Sequence, residues 1–284
     1  MEYEASSTTT SRPHHTAGYS LVLIALVVSA AVLVIGPWLL LTPDGFLGKL
    51  DAVGYATCHR IAERSFSAYD RQLPLCARCS GIYLGMWTGL GVIAATGRLR
   101  ASRLPDWKMA LVLVMFVAIL GVDGLNSYFH LFPDFDDGLY QPNNTLRVTT
   151  GAFVGLAMIH LLLPTFNAAV WRVQDRRRAL EGWQDLGIYC AAVAGTVLLT
   201  LSGSWLLLYV FGIISALGIL FVLTLVNSVM FIAFLRRDRT YHQWGQLWLP
   251  ALAGLTAAIL LIGGMDAMRF ALTGTWEGFV FGTE

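Results

Sequence analysis

Apolar residues run along most of this chain, and polar ones collect in short breaks between them. Stretches near 19–41, 80–97, 108–129, 145–170, 185–207, 209–235 and 246–270 each approach the ~20 apolar residues needed to cross a hydrocarbon core. The pattern predicts an all-α fold, a polytopic transmembrane helical bundle of about seven spans. Only "LYVFG" separates the fifth span from the sixth, which predicts a tight hairpin at that point. The first run exceeds the ~7–15 residues of a signal-peptide core. Its head, "MEYEASSTTTSRPHH", is weakly basic, so an uncleaved first span behind a disordered polar tail (1–17) is expected.

Composition agrees with lipid as the main solvent: 56% of the 284 residues are hydrophobic, 13% are charged, and the mean hydropathy is +0.62. Nineteen basic residues against eighteen acidic ones leave a formal charge of +1, which argues against nucleic acid as a partner and leaves the bilayer as the expected one. The placement of charge says more than its sum. The loops "RLRASR" (98–103), "WRVQDRRR" (171–178) and "RRDR" (236–239) are short and basic, and alternating spans put all three on one side with the N-terminus. By the positive-inside rule that side is the cytoplasm of a multi-pass inner (plasma) membrane protein. Segment 42–79, loop 129–144 and the C-terminus then face outward. Segment 42–79 has basic residues of its own, but they are spread out and interleaved with Asp44, Asp51, Glu63 and Asp70.

Small residues mark where helices can approach. Gly81, Gly85 and Gly89 recur every four residues in the second span, as do Gly151 and Gly155 in the fourth, predicting that these two helices touch. The polar residues that lipid penalises collect at the outward mouth. Asp123, Asn126 and His130 share a face where the third span exits, and Asn143, Arg147 and Thr150 share one where the fourth re-enters. Asp266 and Arg269 lie at the outward end of the seventh. Buried ionisable groups seek partners, so Asp123 is expected to pair with Arg147, and Asp266 with Arg269.

Three of the four cysteines, Cys58, Cys76 and Cys79, lie in the outward segment, with His59 beside the first; Cys190 falls near the cytoplasmic end of the fifth span. Cys58, His59, Cys76 and Cys79 make a Cys₃His set, the number and kind of ligand that tetrahedral zinc takes. Because Cys58 and His59 are adjacent, His130 or water could replace one of them and open the site. In that case Glu63 or Asp123 is the candidate general base for a metal-bound water. Two other chemistries compete: a disulfide suited to an oxidising compartment, and a thiol–disulfide relay using the Cys76–Cys79 C-x-x-C turn. A c-type haem is excluded, since no histidine follows "CARC".

"CHRIAERSF", "LPLCARCSGIYLG", "VDGLN" and "NNTLRVTTGAFVG" together resemble the domain-of-unknown-function 2085 family of predicted membrane proteins. The resemblance runs over roughly 45–160 and falls on Cys58, His59, Glu63, Arg64, Cys76, Arg78, Cys79, Asp123, Asn144 and Arg147 among others. It implies no activity, but it groups the cysteine box with the Asp/Asn/Arg residues as one unit. The predicted organisation is a family-like membrane core (18–170) carrying the extracytoplasmic Cys/His loop (42–79), followed by a three-span extension (171–284). The leading functional expectation is an extracytoplasmic zinc site beside a pocket in which Asp123, Arg147 and Glu63 act on a lipid-like or small polar ligand held by Arg78, Asn126, Asn143 and Asn144. The alternatives are a membrane thiol–disulfide oxidoreductase, and a non-catalytic assembly or transport subunit stapled by its cysteines.

Overall fold

The computed structural model describes residues 18–130 and 138–278; the N-terminal segment 1–17, residues 131–137 of the acidic loop and residues 279–284 lie outside them. In chain order the elements are α1 (Leu21–Leu41), α2 (Gly45–Thr57), a 3₁₀ turn (Ala62–Arg64), β1 (Ser65–Ala68), β2 (Arg71–Cys76), α3 (Ala77–Ala95), β3 (Ala101–Arg103), α4 (Trp107–Phe129), α5 (Asn144–Val170), β4 (Asp175–Arg178), α6 (Trp183–Leu201), α7 (Trp205–Phe234) and α8 (Trp248–Thr273), with a second 3₁₀ turn (Trp244–Leu247) before α8. The chain is an all-α polytopic bundle. Among the described residues, six helices are long and apolar enough to cross a membrane: α1, α4, α5, α6, α7, and α8 together with its leading turn.

The remaining long helix of the seven expected is α3, which is less apolar because it sits inside the bundle. Its glycines meet α5 backbone to backbone. A Cβ on Gly81 would collide with the Val148 carbonyl and one on Gly85 with the Ala152 carbonyl, while Cβ atoms on Gly151 and Gly155 would strike the carbonyls of Arg78 and Ile82. Contacts advance in step along both helices, so α3 and α5 run parallel, as spans two and four of an alternating bundle must. Met86, Ile93, Leu156 and Ile159 fill the rest of that seam.

One boundary differs from expectation. The turn between α6 and α7 is Ser202–Gly203–Ser204, and "LYVFG" lies within α7. Gly203 takes a positive φ of 70° there, and the Ser202 hydroxyl donates back to the Leu199 carbonyl (2.7 Å). Ser-Gly-Ser has turn chemistry, whereas nothing in "LYVFG" opposes a helix before its glycine.

The three basic loops meet at one end. Strands β3 and β4 pair in parallel, Trp171 bridges Tyr241, and Asn167 donates to the carbonyls of Leu99 (2.9 Å) and Ala101 (2.8 Å). Tyr19, just before α1, reaches Tyr241 at the same end. The opposite end carries α2, the β1–β2 hairpin and Trp276, which packs on Tyr55. The helices after residue 170 do not stand apart from the rest: Ile219 of α7 and Ile259 and Ile262 of α8 share a buried cluster with Cys58 and Cys76.

Candidate functional site

Segment 42–79 is a folded cap. Helix α2 lies against β2 so closely that a Cβ on Gly54 would collide with the Pro74 carbonyl. Cys58 caps the C-terminus of α2, its N–H reaching the Gly54 carbonyl at 2.8 Å, and this delivers its sulfur to the point where β2 becomes α3. There Cys76 is the N-cap residue of α3, and Cys79 lies in the first turn. The sulfurs of Cys58, Cys76 and Cys79 all lie within 4.8 Å of one another. Cys58 and Cys76 are buried (6% and 2% exposed) and Cys79 is half-buried.

The Cys76 N–H donates to the Cys58 sulfur (3.3 Å). That thiol is held well below the ordinary thiol range, first by the Cys76 thiol and then by the Cys79 thiol donating to it, against burial, which raises it. Cys76 is correspondingly pushed up, to about 11, by its bond to Cys58. Both trends favour a single negative charge at Cys58. The start of α3 adds its positive dipole end and its unpaired N–H groups.

The loop after Cys58 is pinned from several sides. Arg60 turns it with a φ of 51° and pairs with Asp51 at 3.0 Å, while Gln72 donates to the Arg60 carbonyl at 2.9 Å. Arg269 of α8 donates to the carbonyls of Tyr55 (2.6 Å) and Cys58 (2.7 Å). His59 is not among the converging ligand atoms. Its Nδ1 accepts from the Ile61 N–H (3.2 Å), leaving Nε2 as the ring atom for another partner. Burial holds its pKa below the usual imidazole value, which favours the neutral ring. His130 caps α4, with Nδ1 at 2.8 Å from the Asn126 carbonyl, and is not part of the sulfur cluster. Cys190 packs with the α3–α5 cluster, away from the other three.

The expected pairing of Asp123 with Arg147 is corrected: the partner of Asp123 is Arg78. Arg78 donates through Nε to the Asp123 carboxylate (3.1 Å) and through Nη2 to its other contacts, the Asp123 carbonyl (3.2 Å) and the Ser127 hydroxyl (3.0 Å). Tyr140 completes the set, its hydroxyl donating to the second carboxylate oxygen (2.9 Å). Burial and that bond raise the Tyr140 pKa, which keeps the proton in place to donate. The Arg78 side chain reaches across to Asp123 and Ser127 of α4, while the Arg147 guanidinium turns back to Asn144 in its own first turn (2.9 Å). The expected pairing of Asp266 with Arg269 gives way as well, since Asp266 accepts from the Trp38 indole (3.1 Å) while Arg269 turns to α2.

The asparagines expected to hold a ligand have their amides engaged. Asn143 caps α5, accepting from the Leu146 N–H (2.8 Å). Asn126 accepts from the Leu139 N–H and donates to the Tyr140 carbonyl (2.8 Å each), fixing the segment that carries Tyr140. Asn144 accepts from Arg147 (2.9 Å) and donates to the Glu63 carbonyl (3.2 Å). Glu63 itself is exposed. Three residues at this site were not among the sequence-based candidates. Ser127 and Tyr140 carry no distinguishing signal in the sequence, and Arg64, whose Nη2 donates to the Ser127 carbonyl (3.0 Å), is readable only as part of the Glu-Arg-Ser-Phe motif.

Asp123→Asn is expected to destabilise the protein by about 3–5 kcal/mol, because it leaves the Arg78 charge uncompensated in a largely buried position. Thermal unfolding in detergent measures the loss. Adding Arg78→Gln to the same chain should restore part of it, and no recovery would mean that the pair is not coupled.

The sulfur cluster, Arg78, Asp123, Tyr140 and Arg147 all fall between residues 58 and 161, and that stretch matches a family described as predicted membrane protein (DUF2085). An uncharacterized protein of Methanothermobacter thermautotrophicus is 34% identical over 116 residues, 37% of this chain and 90% of that protein. An uncharacterized protein of Methanocaldococcus jannaschii is 28% identical over 124 residues, 43% of this chain and 72% of its own length. No solved structure matches. Since the first of these archaeal proteins is 34% identical and matched over 90% of its length, and the family's model matches residues 58–161, the chain belongs to the domain-of-unknown-function 2085 family of predicted membrane proteins.

Proposed function

We propose that this membrane protein carries a thiolate metal site, with zinc as the ion, at the cysteine end of its bundle. The observation that carries the reading is the convergence of three buried or half-buried sulfurs within 4.8 Å of one another. Ligands ~2.3 Å from a tetrahedral ion stand ~3.8 Å apart, so three such sulfurs close on one ion with little movement. Three converging thiols also suit a metal better than a disulfide, which would leave one of them over. Cys58, Cys76 and Cys79 would hold the ion, with Nε2 of His59, the residue that follows Cys58, as the candidate fourth ligand. Bound there, zinc would supply Lewis acidity or a structural tie between α2 and α3. This chain's own residues position the site: α2 and Arg269 fix Cys58, and β2 fixes Cys76.

The Arg78–Asp123–Tyr140 cluster next to it supports a pocket for a lipid-like or small polar ligand. Asp123 already accepts from Arg78 and Tyr140, which suits holding a geometry better than taking a proton. The gathering of the three basic loops at the far end supports an orientation with that end in the cytoplasm and the cysteine end outside the inner membrane.

Elemental analysis of detergent-purified protein tests the metal. About one equivalent of zinc per chain is expected. Less than about a tenth of an equivalent of any transition metal, with the cysteines intact and reduced, would contradict it. One observation favours a second reading, a thiol–disulfide oxidoreductase: Cys76 and Cys79 form a C-x-x-C turn at a helix start, the arrangement that tunes redox thiols. That reading predicts a mobility shift on alkylation with a heavy maleimide that differs between reducing and oxidising growth.

A further inference from the structure

We propose that Arg64, Arg78 and Arg147 form a seat for a phosphate-like oxyanion at the cysteine end. The inference rests on reading the polar cluster as a ligand pocket and does not require the metal.

The three guanidinium groups come from three elements, the 3₁₀ turn, α3 and α5. Arg64 and Arg78 lie within reach of one residue, donating to the Ser127 carbonyl and hydroxyl respectively, each at 3.0 Å. Arg147 is bound to the same corner through Asn144, which donates to the carbonyls of Glu63 and Ser65 on either side of Arg64. Against these three charges stands one buried acid, Asp123, and it is taken by Arg78. Among the described residues, neither Arg64 nor Arg147 is within 4.0 Å of a carboxylate. Glu63, the nearest acid to Arg64, is exposed.

Arg147 is the most telling of the three. It is only 6% exposed and its Nε has no hydrogen-bond partner among the described residues. A buried guanidinium without a counter-charge is unfavourable unless something else answers it. A divalent metal on three thiolates would carry one net negative charge. With Asp123 that offsets two of the three positive charges and leaves the cluster cationic. Arginine presents N–H donors in planar forks that match the edges of a phosphate. Arg78 commits Nε and Nη2 to Asp123 and Ser127, so Arg147, with its unpartnered buried Nε, and Arg64, with no carboxylate partner among the described residues, are the forks left to take the anion beside it. The chemistry fits a phosphate group, whether on a lipid headgroup or free in solution. Arg64 and Arg78 are only partly buried, which leaves an approach to the corner from solvent.

Titration calorimetry of the full chain in detergent tests this with two probes: inorganic phosphate, and micelles doped with phosphatidic acid, compared with micelles doped with diacylglycerol, the same lipid without its phosphate. At least one phosphate carrier is expected to bind. Arg147→Lys and Arg64→Gln should each weaken binding about tenfold or more, since a point charge or an amide cannot replace the fork. Binding of phosphatidic acid alone assigns the seat to a headgroup, and binding of inorganic phosphate alone assigns it to a soluble anion; both support the proposal. It is overturned if neither carrier binds the folded wild-type chain above the diacylglycerol control. It is equally overturned if a folded Arg64→Gln chain binds as tightly as wild type, so the test does not depend on the Arg147 variant folding. The same titration on Cys58→Ser separates the two readings. Binding retained without metal leaves the seat standing alone, and metal retained in wild type without phosphate binding removes only the seat.

Discussion

Gly155→Ala is expected to prevent the bundle from assembling in its normal form. The added methyl would fall inside the contact radius of the Ile82 carbonyl oxygen and 2.7 Å from the Met86 nitrogen. Both are backbone atoms of α3, so no side-chain rotation can make room and the helices must separate. Overpacking a well-filled core costs about 1–3 kcal/mol when side chains can adjust, and a backbone-to-backbone clash lies at or above the top of that range. Small residues are what bring membrane helices into contact, because lipid supplies no hydrophobic force between them. Widening the seam would also lift Arg78 away from Asp123. The measurement is the melting temperature and monodispersity of purified protein. Gly121→Ala is the control, because no atom lies within 4 Å of a Cβ built there. Equal melting temperatures for the two variants would contradict the packing described.

Cys76→Ser is expected to remove bound zinc. The variant keeps the backbone N–H that reaches Cys58, and with it the local fold, but exchanges a soft sulfur ligand for a hydroxyl. Loss of a partner outside the coordination sphere typically lowers metal affinity 10–100-fold, and loss of a ligand should exceed about 100-fold. If the metal ties α2 to α3, melting should also become insensitive to chelator in the variant while remaining sensitive in wild type. Cys190→Ser should retain its metal, since that residue packs against the α3–α5 seam and not with the other sulfurs. Equal zinc content in the Cys76 and Cys190 variants would place the ion elsewhere.

Hydropathy located the membrane helices because lipid imposes one demand on every span, and α4 and α5 begin and end within one residue of the runs that predicted them. The α6–α7 turn was misplaced because hydropathy averages over the three residues Ser202–Gly203–Ser204 between two apolar runs, while the turn chemistry that breaks the helix lies in those residues and in the positive φ of Gly203. Glycine spacing identified the α3–α5 contact, since nothing but glycine permits it. The same spacing could not decide which arginine Asp123 meets. Arg78 and Arg147 both lie a turn or less inside their helices, and the choice depends on the rotation of α3 against α5. Nor could spacing separate Cys58 from His59. Neighbouring side chains diverge, and the packing of Gly54 on Pro74 sends the sulfur inward while the ring folds onto its own backbone. Arg64 reads in sequence as one charge among several in a solvated turn, and it joins the site only because Ser127 of α4 lies above it.

The account turns on whether Cys58, Cys76 and Cys79 hold one ion together. X-ray absorption at the zinc edge on the purified protein measures that directly. The prediction is a shell of three sulfur scatterers at ~2.3 Å, with one lighter atom at ~2.0 Å completing the tetrahedron. A shell made up only of oxygen and nitrogen, or a sulfur shell that survives unchanged in Cys58→Ser, would contradict it.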